Sequence, residues 1–258
     1  MNIEQGINEK IELYTKSLKL PTVRKMYVEE SEASSLNSQS YEEFLCSLLE
    51  QEYLHRLEKR KQSKIRQANF PYKKYLQDLE ISELPSDGAD KLKQLKTFNF
   101  IEKGQNAILI GNPGTGKTHL AIGLGIRACL ENYKVLFVSV PSFITQMKES
   151  LSSRTLHAAQ NKFEKYDLVI LDELGYISFD KEGAELLFTA LSLRVGRKST
   201  VITTNLSFDR WNEIFHDPVI TAAIVDRLTH RAIIVDMMGD SYRIKDSRKY
   251  INKINKKG

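Results

Sequence analysis

Nothing in this 258-residue chain approaches 18 consecutive apolar residues, so no membrane-spanning helix is expected. Cysteine is scarce. The only two, Cys46 and Cys129, sit in apolar helical patterns without metal-ligand spacing. That excludes a disulfide scaffold and a thiolate metal site, and predicts two buried thiols in a reducing cytoplasm. The first ten residues are polar and carry acids, which does not fit a secretory signal. No internal repeat or low-complexity segment is visible. Charge of either sign is not in large excess: the net charge is +5, with a pI near 9.0. Where the charge lies therefore matters more than its total. Gln51–Tyr75 carries eight Lys/Arg against two acids, and Ser241–Gly258 carries seven against one. Clusters of this kind suit a polyanion, although each alone is compatible with a solvated face.

The chain divides by pattern into a small all-helical N-terminal domain over 1–66, a joining segment over 67–105, an α/β domain over 106–245 and a basic tail over 246–258. In the first, apolar residues recur at helical spacing up to Pro21, and a polar loop is expected over Glu29–Ser38. Ser40 and Glu43 form a capping box for a long helix to about Gln67. This domain is too small and polar to bury much alone, so a partner or another subunit is expected to cover it. In the joining segment Leu79, Ile81, Leu92, Leu95, Phe98 and Phe100 are anchors, and Pro85–Gly88 reads as a turn. From residue 106 short apolar runs alternate with amphipathic helices, which predicts a five-stranded parallel sheet with helices on both faces. The strands are expected at 107–110, 134–140, 168–171, 200–204 and 232–235.

The first of those strands leads into Gly111-Asn112-Pro113-Gly114-Thr115-Gly116-Lys117-Thr118. This fills the pattern G-x-x-x-x-G-K-[ST]. The four fixed positions alone would recur by accident in roughly one chain in a hundred of this length. The glycines can turn backbone N–H groups inward as an anion nest, and the following helix adds its N-terminal donors. Lys117 supplies a charge for the β- and γ-phosphates, and the Thr118 hydroxyl is placed for Mg²⁺.

A phosphate loop does not by itself distinguish hydrolysis from nucleotide storage. The strand Leu168–Leu171 ends in Asp172 and Glu173. Asp172 is expected beside Thr118, holding Mg²⁺ through its water shell. Glu173, one residue on, can polarise a water in line with the γ-phosphate. Asn205, closing Val201–Asn205, is a candidate for binding that water or the γ-phosphate. The base-reading Asn-Lys-x-Asp of GTPases is missing, since Asn161-Lys-Phe-Glu164 lacks the acid in the right form and place. An arginine-rich lid of the small-molecule-kinase type is missing too, because Gly175–Asp180 holds no arginine. ATP is therefore the favoured nucleotide.

Leu171–Tyr176, Thr203–Asn205, Val225–Arg231 and Gly239–Arg243, with Leu18–Thr22, Tyr41–Arg56 and Ala68–Pro71, resemble the AAA+ ATPases of the IstB family, helpers of insertion-sequence transposition related to the DnaC helicase loader. Glu173 departs from the second Asp of many such proteins and keeps the acid. The resemblance implies that Arg227 is an arginine finger acting on a neighbouring subunit's γ-phosphate, and that Arg243 is a second phosphate sensor. It also implies a homo-oligomer with ATP between subunits, a grip on double-stranded DNA with little sequence preference, and a transposase partner. Lys148 and Arg154 fall where related initiator ATPases contact DNA, and Lys59, Arg60 and Lys61 are further candidates. The alternatives are a DnaC-like helicase loader and a structural DNA clamp that uses ATP only for assembly.

Overall fold

The computed structural model describes residues 3–79, 86–239, 241 and 242. Ile81, Pro85, Asp240, Arg243 and the tail over 246–258, which the sequence reading used, lie outside the described residues. The chain separates into two compact units, Met1–Ser63 and Lys64–Gly258.

In the first unit, α1 (Ile3–Ser17) and α2 (Pro21–Leu36) precede α3 (Tyr41–Gln67), which continues past the unit boundary. Proline at the first position of α2 costs nothing, because its missing N–H would have no partner there. The next two N–H groups, of Thr22 and Val23, donate to the buried Glu52 carboxylate at 2.8 and 3.3 Å. Burial raises the Glu52 pKa, but the hydrogen bonds from Arg56 and these two amides outweigh it and hold the group below the usual carboxylate range. The capping box closes both ways: Ser40 N–H to Glu43 at 2.7 Å, and Glu43 N–H to Ser40 Oγ at 3.2 Å.

Two expectations fail in this unit. Glu29–Leu36 is helical, not a loop: an established helix runs on through glutamates and Ala33 and stops only at Asn37 and left-handed Ser38 (φ 53°). Cys46 is exposed, not buried. Leu48 and Glu52, four residues apart, mark the buried face of α3, and Cys46 lies about 200° round the helix from Leu48.

In the second unit a 3-10 turn (Leu76–Asp78), α4 (Ser86–Leu95) and α5 (Asn99–Glu102) lead into alternating β1 (Ala107–Ile110), α6 (Lys117–Leu130), β2 (Val135–Ser139), α7 (Val140–Ser152), α8 (Leu156–Glu164), β3 (Leu168–Leu174), α9 (Lys181–Ser192), β4 (Ser199–Thr204), α10 (Asn212–Phe215), α11 (Pro218–Thr229) and β5 (Ile233–Asp236). All five strands are parallel, in the order β2-β3-β4-β1-β5. Layers of buried side chains cover both faces, one around Leu109, Leu120 and Ile170, the other around Ile108, Val169 and Trp211. The strands therefore read as unbroken apolar runs.

The described residues of the expected joining segment pack into the second unit. Ala68, Leu76, Leu92, Leu95, Phe98 and Phe100 are buried in the first layer. The Ala68 carbonyl accepts the Phe137 N–H at 2.7 Å, which gives edge strand β2 a partner. Ser86–Gly88 opens α4 instead of forming a turn. Helix α8 was not expected from its polar sequence.

Arg194 joins the start of β4 to the end of α8. It is 1% exposed. Its guanidinium donates to the carbonyls of Phe163, Tyr166 and Ser199 at 2.7–3.0 Å and to Thr200 Oγ1 at 3.4 Å, and lies 5.2 Å from the Phe163 ring centroid. Burial pulls its pKa down to about 10, so it remains a cation at neutral pH.

Candidate nucleotide site

The C-terminal edge of the sheet is where β1, β3 and β4 deliver their last residues, the usual place for a ligand in an open parallel sheet. After β1 the chain turns sharply. Gly111 tolerates no side chain, because a Cβ would fall 2.2 Å from the Met237 carbonyl oxygen. Gly114 and Gly116 hold φ of +82° and +91°, in the left-handed region that favours glycine. The loop Gly111–Thr118 thus wraps onto the N-terminus of α6, with Asn112 and Pro113 exposed at its tip. Thr115 Oγ1 donates to the Asn112 carbonyl at 2.9 Å, and Lys117 Nζ donates to the carbonyls of Gly111 and Asn112 at 2.7 and 2.8 Å. The lysine is thereby folded over the loop it belongs to.

Beneath the loop, Asp172 is 5% exposed. One carboxylate oxygen accepts from Thr118 Oγ1 at 3.0 Å and from Thr203 Oγ1 at 2.5 Å. Burial raises its pKa, and the hydroxyls of Thr203 and Thr118 and the Lys117 charge offset only part of that. A cation would favour the ionised form. Mg²⁺ binds through one or two carboxylates, phosphate and retained waters. Thr118 and Asp172 supply a hydroxyl and a carboxylate of that kind, side by side, and the donor set fits.

Glu173 departs from the strand. Its φ is +66°, and the pairing of β3 with β4 shifts register between Leu171 and Leu174. Its N–H donates to Thr203 Oγ1 at 2.9 Å, so one hydroxyl ties both acids to β4. A left-handed glutamate costs about 1–3 kcal/mol, and strain of this kind concentrates at functional sites. Asp172 points inward, while the Glu173 side chain is exposed at the rim.

Asn205 follows β4 directly. Its Oδ1 is the one buried side-chain polar atom without a hydrogen-bond partner among the described residues. A Cβ on Gly175 (φ +101°) would lie 3.1 Å from that oxygen, so the glycine leaves it room.

The remaining expected residues are dispersed. Arg227, on α11, donates to Ser192 Oγ on α9, and its guanidinium lies 4.3 Å from the Phe188 ring centroid. Its hydrogen bond is to α9 and not to the phosphate loop of its own subunit. Lys148 is paired with Asp180 at 2.5 Å and with Glu182 at 3.8 Å. Arg154 is exposed in the left-handed turn (φ +59°) between α7 and α8. Lys59 and Arg60 are exposed and Lys61 half-buried on α3. Arg243 lies outside the described residues.

Three contributors were not anticipated. Thr203 orients both acids. Leu79 and Met237 approach Gly116, at 3.8 and 4.0 Å from the position of a Cβ, and give the loop an apolar flank. The return of the chain after β5 brings the Gly239 carbonyl to Asn112 Nδ2 at 3.2 Å and the Tyr242 N–H to the Gly114 carbonyl at 3.0 Å. The family motif around Thr203 marked the position, but a strand threonine gives no sign of which hydroxyl is used.

Comparison with known proteins returns an ATP-binding family. Residues 14–250 match the family model of the IstB-like ATP binding protein. The chain is 33% identical over 242 residues to a protein described as the ATP-binding protein of insertion sequence IS5376 from Geobacillus stearothermophilus, covering 94% of this chain and 96% of that one. It is 35% identical over 210 residues to its counterpart in IS21 from Pseudomonas aeruginosa, covering 81% and 79%. Among solved structures it resembles the DnaC helicase loader (TM-score 0.51, 19% identity, 59% of this chain and 91% of that one) and AMPPCP-bound DnaA from Aquifex aeolicus (TM-score 0.54, 21% identity, 70% and 55%). With these two the likeness is one of fold. Among the described residues no helix is long and apolar enough to cross a membrane. The chain belongs to the IstB-like ATP-binding protein family of insertion sequences.

Proposed function

We propose that this protein is an ATP-hydrolysing, DNA-binding oligomer that assists transposition by marking target DNA and stimulating a partner transposase. The observation that supports hydrolysis most is the pair of differently placed acids. Asp172 is buried against Thr118, whereas Glu173 is turned out by a left-handed backbone. A storage site needs only the first. The second, with the unpartnered Oδ1 of Asn205, can orient a water at the γ-phosphate. Lys117 exchanges its loop carbonyls for phosphate oxygens. Thr118 and Asp172 would hold Mg²⁺, which would supply positive charge to the phosphates. The apolar flank of Leu79 and Met237 suits a nucleotide base.

Arg227 serves a neighbouring subunit. Its aromatic support on Phe188 and its bond to Ser192 hold it extended on the surface, where it can meet another subunit's nucleotide. The insertion-sequence relatives support the transposition role, and the basic segments support DNA. Within the candidate DNA set, Lys148 is already paired to acids, which leaves Arg154 and the Lys59–Lys61 run as the stronger members.

The test is to compare Glu173→Gln with Lys117→Ala. Glu173→Gln is expected to bind a fluorescent ATP analogue as the parent does and to lose turnover by a hundredfold or more, the scale of a positioned base. Lys117→Ala is expected to lose nucleotide. Equal turnover in Glu173→Gln and the parent would remove the hydrolytic reading.

A further inference from the structure

At the N-terminal ends of β2 and β3 the second unit has a cleft of about 210 Å³ lined by Lys64, Lys134, Lys162 and Lys165, with Gln67, Val135 and Tyr166. It lies at the end of the sheet opposite the phosphate loop, and nothing in the nucleotide chemistry uses it. Three elements converge to make it: the end of α3, the start of edge strand β2, and the end of α8. No acid lines it.

The arrangement goes beyond what the helix ends alone require. The C-terminal ends of α3 and α8 each present roughly half a negative charge, and a lysine near each is expected on that ground. The nearby Asp167 is spoken for. It pairs with Lys198 at 2.6 Å and accepts the Lys134 N–H at 2.9 Å. Glu164 pairs with Arg197 at 3.5 Å. Four lysines therefore face two half-charges and a neutralised aspartate, leaving an excess of positive charge. Lys64 is anchored, since its ammonium donates to the Asn132 carbonyl. The ammonium groups of Lys162 and Lys165 have no partner among the described residues and are exposed.

Size and residue type narrow the ligand. Sites for drug-sized molecules run from about 300 Å³ upward, so the cleft is too small for a second nucleotide but admits a phosphate group. Lysine is a point charge without the fork that reads base edges or fixes a carboxylate in two directions. Four such charges on a rim suit the repeating phosphates of a nucleic-acid backbone, held without sequence preference.

We propose that this lysine cleft is a phosphodiester-binding site for duplex DNA, on the face of the ATPase unit opposite the nucleotide. The inference rests on the DNA-binding reading above and adds a location to it. Lys162 and Lys165 are the residues to test, because neither supports a hydrogen bond that the fold uses.

The experiment takes the full chain with a non-hydrolysable ATP analogue and measures duplex binding by fluorescence anisotropy across a salt series. Lys162→Ala/Lys165→Ala is compared with the parent. Each lost phosphate contact removes about 0.9 from the slope of log affinity against log salt, so the double variant is expected to flatten the slope by about 1.8. Binding of the ATP analogue and the thermal midpoint serve as controls and are expected to be unchanged. If the parent binds DNA and the variant keeps both affinity and slope, the cleft is not a DNA site while the wider reading stands. If the parent binds no duplex under any nucleotide condition, the wider reading and this one fall together. A parallel titration with poly-glutamate separates the remaining possibility: a variant that loses poly-glutamate and keeps DNA would overturn the proposal in favour of an acidic protein segment.

Discussion

Strands β3 and β4 carry a buried charged or polar cluster at each end, and the two ends are finished differently. At their N-terminal end Arg194 is enclosed and uses its donors on three carbonyls and a hydroxyl. At their C-terminal end Asp172 takes two hydroxyls, Glu173 is strained outward, and Asn205 keeps an oxygen with no partner among the described residues. Buried polar groups in folded proteins are nearly always satisfied, so one left unmet needs a reason. The first cluster is complete in the chain alone and belongs to stability. The second leaves the Asn205 oxygen unmet among the described residues, which suits the nucleotide site proposed above. Completeness of hydrogen bonding, more than burial or charge, tells the two kinds of site apart.

The largest effect on stability is therefore expected at the finished end. Arg194→Met keeps an apolar stem but removes every donor, so the carbonyls of Phe163, Tyr166 and Ser199 lose the guanidinium and Phe163 keeps a long bond from the Tyr166 N–H at 3.5 Å. Each buried acceptor left without its donor costs about 1–3 kcal/mol, so a loss of several kcal/mol is expected. Chemical denaturation monitored by Trp211, which is buried in the second layer, reads it directly. A loss below about 1 kcal/mol would mean that water replaces the guanidinium easily, and the contrast between the two ends would weaken.

How far the sequence showed these two ends differs as well. The phosphate loop and the Asp172–Glu173 pair were legible because each has a fixed spacing and follows an apolar strand. The five strands were legible within one to three residues because both their faces are buried and their composition follows. Arg194 was not, since a lone arginine between a helix and a strand has the composition of a surface residue. The packing of residues 67–105 was only partly visible. Leu92, Leu95, Phe98 and Phe100 stood out as anchors, but that they join the core of the sheet, with Ala68 and Leu76 beside them, needs the arrangement of α6 and β5. The left-handed Glu173 gave no signal, because side-chain type does not announce a strained φ outside glycine and asparagine. The finger role proposed for Arg227 came only through family likeness, and its seat on Phe188 and Ser192 follows from the packing of α9 against α11.

A second expectation concerns pH. Burial raises the Asp172 pKa above its ordinary value, so the folded nucleotide-free protein holds that proton more tightly than the unfolded chain. Stability from this group is then greatest below the unfolded carboxylate pKa of about 3.9, and is lost as pH rises through the higher folded value. Asp172→Asn keeps a carbonyl for the hydroxyls of Thr118 and Thr203 and carries no charge. Its thermal midpoint without nucleotide is expected to exceed the parent's at pH 7 and to meet it at pH 3. With Mg²⁺ and ATP the order should reverse, because only the parent gains the metal. A midpoint below the parent's at pH 7 without ligand would show that the carboxylate is already stabilised by the chain, and would move this end toward the Arg194 type.

The smallest effect on stability, and the sharpest test of the comparison, is expected at Asn205. Its Oδ1 is buried without a partner, which costs the folded state roughly 1–3 kcal/mol. Asn205→Ala removes that cost along with some packing against Gly175 and Leu206, so the two changes oppose each other. The net change in unfolding free energy without nucleotide should fall within about 0.5 kcal/mol of zero, the range of substitutions that break nothing. Turnover behaves otherwise. If the oxygen or its amide positions water or the γ-phosphate, the alanine variant binds ATP as the parent does and hydrolyses it on the order of a hundredfold more slowly. Asn205→Asp refines the point: it keeps the shape but adds charge beside phosphate, and should weaken ATP binding where alanine does not. A destabilisation of 2 kcal/mol or more in Asn205→Ala would mean that the residue has a structural partner after all. Unchanged stability with unchanged turnover would leave the open oxygen without a use in hydrolysis, and Glu173 as the group that acts on the water alone.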